Sequence, residues 1–262
     1  MLLTAENINL QYQGRAILSS LNIAINEGEL VGLIGPNGAG KTSLLRILAN
    51  LQQADSGELK LNQQLLSAID QKSFAQTIGY MAQGAPVHWP LEVTRLVELG
   101  RLPHQSPWSR ISDHDRAIVQ QAMELAEVTH LAGRIVSTLS GGERLRVLIA
   151  RMFATEPKII LADEPIASLD PYHQIHTMEL FRQHCERGGS AVVVMHDLNT
   201  AARFCHRLVL LHQGVIVSDG SPKAVLNPAQ LQQVYGIKVD ILEHGNNGLT
   251  VIPKTRSSGD KL

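Results

Sequence analysis

The residues best placed to do chemistry form the run Gly35-Pro36-Asn37-Gly38-Ala39-Gly40-Lys41-Thr42. Its pattern, Gly-x-x-x-x-Gly-Lys-Ser/Thr, lets backbone N–H groups curl inward around phosphate oxygens, and the helix that follows points its positive end at them. Lys41 is expected to place one positive charge between the β- and γ-phosphates of a nucleoside triphosphate, and Thr42 to offer its hydroxyl to Mg²⁺. A second reactive element lies far along the chain, where Ile159-Ile160-Leu161-Ala162 ends in Asp163-Glu164. A carboxylate at a strand tip such as Asp163 suits the water shell of Mg²⁺, and Glu164, pointing elsewhere, could take a proton from an attacking water.

These groups need rigid elements behind them, and the hydrophobic pattern supplies them. Residues 3–10 and 16–25 alternate apolar with polar side chains, as half-buried strands do. Glu29–Ile34 is a short apolar run before the glycine-rich loop, and Ser43–Leu48 follows at helical spacing. Residues 55–83 read as a second strand-rich stretch ending in Ile78–Met81, and about 84–156 read as helical. Lys158–Ala162 and Ala191–Met195 are continuous apolar runs of the buried parallel kind, with a helix over Pro171–Glu186 between them. Residues 208–217 read as a strand pair and Ile237–Pro253 as a hairpin around Gly245-Asn246-Asn247-Gly248, leaving Lys254–Leu262 as a frayed polar tail.

Composition narrows the function. The 262 residues carry 23 Lys and Arg against 24 Asp and Glu, a net charge of −1, so no global field invites a nucleic acid. Two cysteines, Cys185 and Cys205, cannot build a disulfide framework, which fits a reducing compartment; both are expected to be inert small residues. No apolar run approaches the ~20 residues that span a bilayer, and the N-terminus lacks a signal-peptide pattern, so any membrane role is expected to be peripheral. His173, His176, His184 and Cys185 share one predicted helix. His184 lies more than two turns beyond His176, so the spacing favours a solvated face over a metal site.

The run Leu139-Ser140-Gly141-Gly142-Glu143 resembles the signature motif of ABC-transporter ATPases, and it falls, as in that family, between the phosphate loop and Asp163-Glu164. Tyr12 sits where the family has an adenine-stacking aromatic, and Gln83 ends a strand like the family's Q-loop glutamine. Ser168-Leu169-Asp170 looks like the D-loop, and His196 holds the place of the switch histidine. Lys41-Thr42-Ser43 inverts the commoner Ser-Thr order, which still leaves a hydroxyl for the metal. The resemblance implies an α/β fold: a P-loop NTPase core with an N-terminal antiparallel β subdomain and an inserted all-helical subdomain at about 84–156. The ATPase domain would then cover residues 1–235, with 236–262 a short hairpin and tail.

It further implies ATP and Mg²⁺ as cofactors, with Thr42, Gln83 and Asp163 toward the metal and Glu164, His196 and Lys41 toward catalysis. Two copies would sandwich ATP head to tail, the Ser140–Glu143 signature of one capping the γ-phosphate of the other and Asp170 linking the sites. Leu91–Val93, Glu98–His104, Asp170–Thr177 and Val225–Ile237 resemble importers of iron–siderophores, haem and cobalamin. That reading expects a polytopic permease docking near residues 84–104 (with Pro86, Trp89, Leu91 and Leu102), a substrate-binding protein reached indirectly, and a place on the cytoplasmic face of the inner membrane. An alternative is a soluble ABC ATPase acting on nucleic acid or ribosomes. Such proteins usually carry two cassettes or a long arm, which this sequence lacks; an exporter subunit and a small-molecule kinase are weaker alternatives still.

Overall fold

The computed structural model describes residues 1–84, 90–106, 110–244 and 248–256. In chain order its elements are β1 (Leu3–Tyr12), β2 (Arg15–Ile25), β3 (Leu30–Ile34), α1 (Lys41–Leu48), β4 (Ser56–Leu61), β5 (Gln64–Leu65), α2 (Gln71–Thr77) and β6 (Ile78–Met81). There follow α3 (Val93–Glu98), α4 (Asp113–Leu125), α5 (Gly141–Ala154), β7 (Ile159–Asp163), α6 (Pro171–Glu186) and β8 (Ser190–Val194). The chain ends with α7 (Leu198–Phe204), β9 (Arg207–His212), β10 (Val215–Gly220), α8 (Pro222–Val225), α9 (Pro228–Tyr235), β11 (Ile237–His244) and β12 (Gly248–Arg256). The chain divides into two compact units, Met1–Leu66 with Val192–Leu262, and Ser67–Ala191.

In the first unit an antiparallel sheet runs in the order β2-β1-β4-β5. Leu18, Leu21, Ile23 and Ile25 are all buried although 18 and 21 are three apart. Ser20 explains the broken period: it takes a positive φ of 45° and donates its N–H to Asn9 Oδ1 at 2.8 Å, a bulge that returns Leu21 to the core face. β3 is buried along its whole length and pairs parallel with β9, which pairs antiparallel with β10. The expected hairpin is β11–β12, and it extends to Arg256, so Lys254–Arg256 belong to a strand and not to a frayed tail. Lys254 Nζ pairs with Asp240 across it at 2.7 Å. Gly245-Asn246-Asn247 and residues 257–262 lie outside the described residues.

In the second unit β6 pairs parallel with β7, and α3, α4 and α5 pack on one another as the helical reading expected. The stretch 55–83 is less strand-rich than its sequence suggests, because Gln71–Thr77 is helical: Asp70 caps it, Oδ1 accepting from Ser73 N at 3.0 Å. Arg101 is 3% exposed and ties three segments together. It donates to Asp115 Oδ1 (2.8 Å), the Ala154 carbonyl (2.8 Å) and Glu156 Oε2 (2.9 Å), which satisfies a guanidinium that would otherwise be costly to bury. His184 does not join a solvated face as the helix pattern suggested. Its ring meets Phe153 edge-on with centroids 6.2 Å apart, desolvation pushes its pKa down, and neighbouring Cys185 is 1% exposed.

Candidate functional site

The phosphate loop joins β3 to α1 in the first unit. Gly35 has a φ of 147°, and a Cβ there would meet the Leu211 carbonyl oxygen at 2.1 Å; at Gly40 φ is 101° and a Cβ would meet Leu18 Cδ2 at 2.7 Å. Both positions therefore require glycine. α1 follows Gly40, an N-cap position that supplies no side-chain hydrogen bond to the helix. Lys41 is 6% exposed, and its ammonium donates to the Gly35 carbonyl at 2.8 Å and the Pro36 carbonyl at 2.9 Å, which holds the charge over the loop. Asn37 and Gly38 are exposed, Ala39 is buried, and Thr42 and Ser43 are half-buried on the first turn of α1. Tyr12, at the end of β1, is 68% exposed, the open ring expected of an aromatic that stacks on a base. His196 is exposed between the buried Met195 and Asp197, which caps α7 through a bond from Thr200 N.

The second unit carries the acidic strand end. Asp163 closes β7 at 1% exposure, and Glu164 follows with a φ of 52°. Left-handed backbone at a glutamate is uncommon, and it turns the side chain out of the strand's alternation. Gln83 Nε2 donates to Glu164 Oε2 at 2.7 Å, joining two residues that are 81 positions apart. Gln174 fixes the loop beyond, donating to the Leu169 carbonyl at 2.9 Å and to the Ile166 carbonyl at 3.3 Å.

Ser140 opens α5 with a reciprocal cap. Its Oγ accepts from Glu143 N at 3.2 Å, and Glu143 Oε2 accepts from Ser140 N at 2.8 Å. That bond from the Ser140 backbone, with the hydroxyl beside it, holds the Glu143 carboxyl below its usual range. Neither Gly141 nor Gly142 has a positive φ. A Cβ at Gly141 would meet nothing within 4 Å, and one at Gly142 only ordinary contacts with the Ser168 carbonyl oxygen and Leu169 Cδ2. The signature thus lies beside the 168–170 loop. Asp170 caps α6, accepting from His173 N at 3.1 Å, and its other oxygen lies 2.7 Å from His173 Nδ1; these bonds lower its pKa.

A groove was expected around Leu91 and Leu102, whereas the burial of Tyr235 was not foreseen. A groove of about 700 Å³ is lined by Leu91, Arg95, Leu99, Leu102, Arg110 and Ile111, and Leu102 is 58% exposed there. Of the residues expected in such a groove, Pro86 and Trp89 lie outside the described residues. Tyr235 entered the sequence reading only as part of the Val225–Ile237 stretch. Its hydroxyl is buried beside the Gly35 backbone without completing a hydrogen bond, and burial pushes its pKa up to about 12.

A glycine-shaped loop around a buried lysine, and a strand ending in Asp163-Glu164, define a phosphate-loop nucleotide-binding ATPase. A profile of the ABC transporter family matches residues 18–167, and the chain belongs to that family. It is 39% identical over 256 residues to the hemin import ATP-binding protein of Pseudomonas fluorescens, covering 96% of this chain and 99% of the relative. It is 36% identical to the iron(3+)-hydroxamate import ATP-binding protein of Bacillus subtilis, covering 92% and 90%. Among solved structures it resembles a metal-chelate type ABC transporter in an inward-facing conformation (TM-score 0.82, 25% identity, 97% and 98% covered). It also resembles a dimeric ATP-binding cassette bound to ADP and Pi (TM-score 0.75, 29% identity, 84% and 98% covered). Among the described residues no helix is long and apolar enough to cross a membrane.

Proposed function

We propose that this chain is the ATP-hydrolysing subunit of a binding-protein-dependent importer of a metal chelate: haem, an iron–siderophore or cobalamin. Likeness to hemin and iron-hydroxamate import subunits along most of the chain supports that cargo class. The observation that carries the coupled mechanism is the 2.7 Å bond from Gln83 to Glu164. Gln83 begins the segment expected to meet the permease, and Glu164 is the group that accepts the proton from water. A push on the first therefore moves the second.

In this reading Tyr12 stacks on adenine, the N–H groups of Asn37–Ser43 hold the phosphates, and Lys41 leaves the loop carbonyls for the β- and γ-phosphates. Water attacks the γ-phosphorus, its proton passes to Glu164, and the bond to the β,γ-bridging oxygen breaks, releasing ADP and phosphate. His196 orients the water and the γ-phosphate. Thr42, Asp163 and the Gln83 amide oxygen each offer the hard oxygen that Mg²⁺ takes, and the Gln83 oxygen stays an acceptor because its NH₂ is the group given to Glu164. When bound, Mg²⁺ neutralises charge on the β- and γ-phosphates. Ser140–Glu143 serve the second copy of a head-to-tail homodimer, and Asp170 lies at that dimer's joint.

The catalytic domain in this reading is 1–235, with the helical insertion at about 84–156. A permease docks near 84–104, where the Leu91–Leu102 groove offers apolar walls. The chain then sits peripherally on the cytoplasmic face of the inner membrane. The test is ATP turnover of the chain reconstituted with permease and binding protein in liposomes. One of haem, ferric siderophore or cobalamin is expected to stimulate it, and stimulation by none would overturn the importer reading.

A further inference from the structure

The C-terminal hairpin touches the nucleotide machinery of its own unit at a point that the proposed mechanism leaves unused. α7 starts two residues after His196 and has seven residues, too few to hold its position without packing. Met195 N donates to the Leu33 carbonyl at 3.1 Å, which fixes the chain just before His196. On the other side, three residues beyond His196, the Asn199 amide grips one residue of β12. Its Oδ1 accepts from Val251 N at 2.7 Å, and its Nδ2 donates to the Val251 carbonyl at 3.3 Å. The amide acts as one more rung on the free edge of the hairpin.

The register makes this edge available. Val251 stands opposite Ile241, and because both its polar backbone groups go to Asn199 the pair is of the kind that exchanges no ladder bonds. Pro253 shares the parity of Val251, so its missing N–H costs the ladder nothing. Val239, Leu249 and Val251 are buried on one face of the hairpin, while Leu242 and Ile252 are exposed on the other. Tyr235, on the helix that leads into β11, reaches the Gly35 backbone at the root of the phosphate loop.

We propose that the β11–β12 hairpin braces the His196 loop, with Asn199 as the positioning residue that sets where the histidine meets the γ-phosphate. The inference rests on the reading of His196 given above. An ångström of drift in a group aligned with the reacting atoms costs up to about a hundredfold in rate, so a loosened α7 is felt in turnover before binding.

The test is steady-state ATP hydrolysis by the full chain carrying Asn199→Ala, Val251→Pro, both together, or Ile252→Ser on the outer face. Asn199→Ala and Val251→Pro are each expected to lower kcat about tenfold with KM for ATP changed less than about twofold. The double variant should be no worse than either single one, and Ile252→Ser should match the parent. Unchanged kcat in Asn199→Ala, a matching rise in KM, or losses that multiply in the double variant would overturn the brace. His196→Ala in the same assay separates the two ideas. If it abolishes turnover while Asn199→Ala does not lower it, the brace alone is wrong; if it leaves turnover intact, the reading of His196 falls and the brace with it.

Discussion

Two helices of this chain open on glycines, and they are built differently. At α1 the glycines are demanded by the chain itself: Gly35 and Gly40 have positive φ, and a side chain at either would strike Leu211 or Leu18. No side chain caps the helix, and a buried lysine waits beside it. At α5 the chain demands nothing of the kind. Gly141 and Gly142 have ordinary backbone, Gly141 has open space around it, and Ser140 with Glu143 closes a full capping box. Capping of this sort stabilises a helix start by about 1 kcal/mol, whereas glycine at its first positions does the reverse. The first start is shaped by its own fold. The second bears a feature its own fold does not use, which is what a surface awaiting another molecule's phosphate requires.

The contrast can be broken at either end. The largest effect is expected from Lys41→Ala, which should weaken ATP binding by about a hundredfold or more, some 2.7 kcal/mol, in a titration of nucleotide affinity. Unchanged affinity would remove Lys41 from the phosphate site. Gly35→Ala comes next, because the clash is with a backbone oxygen in β9 that has nowhere to go. Thermal or urea unfolding should show a loss of about 2 kcal/mol. Gly141→Ala should do the opposite to the fold, leaving stability equal or raising it by up to about 1 kcal/mol. Its ATP turnover should nevertheless fall about tenfold, since in the proposed sandwich the added methyl would meet the partner copy's nucleotide. A variant with full turnover would make α5 an ordinary capped helix.

The smallest effect concerns pH. The Glu143 carboxyl is held below its usual range, so its contribution is complete above the ordinary glutamate value of about 4.3 and is lost as pH falls through its lowered folded pKa. Glu143→Gln, whose amide oxygen still accepts from Ser140 N, should flatten that part of the stability profile below about pH 4. Equal acid sensitivity in both proteins would show that the box does not titrate.

Most of the fold was legible because its strands are either continuous apolar runs, like β3 and the bodies of β7 and β8, or broadly alternating, like β1. The phosphate loop and the strand-end carboxylates were legible because their chemistry fixes residue type and spacing. What escaped depends on contacts distant in sequence or on a single capping bond. α2 hides in a strand-like stretch until Asp70 is seen to cap it, and His184 reads as a surface residue until Phe153 is placed beside it. The bond between Gln83 and Glu164 joins two residues whose separate roles were readable, but no local pattern announces that they touch. Asn199 carries no local signal, since its partner is a backbone group 52 positions away.

The account stands on the idea that α5 serves a neighbour's nucleotide, and Glu164→Gln tests it most directly. The amide keeps an acceptor for Gln83 but cannot take a proton from water, so ATP should bind and persist. Light scattering on this variant with ATP and Mg²⁺ should show the 28.6 kDa chain doubling in mass, and the protein without nucleotide should remain single. A variant that binds ATP yet stays at 28.6 kDa would contradict the sandwich.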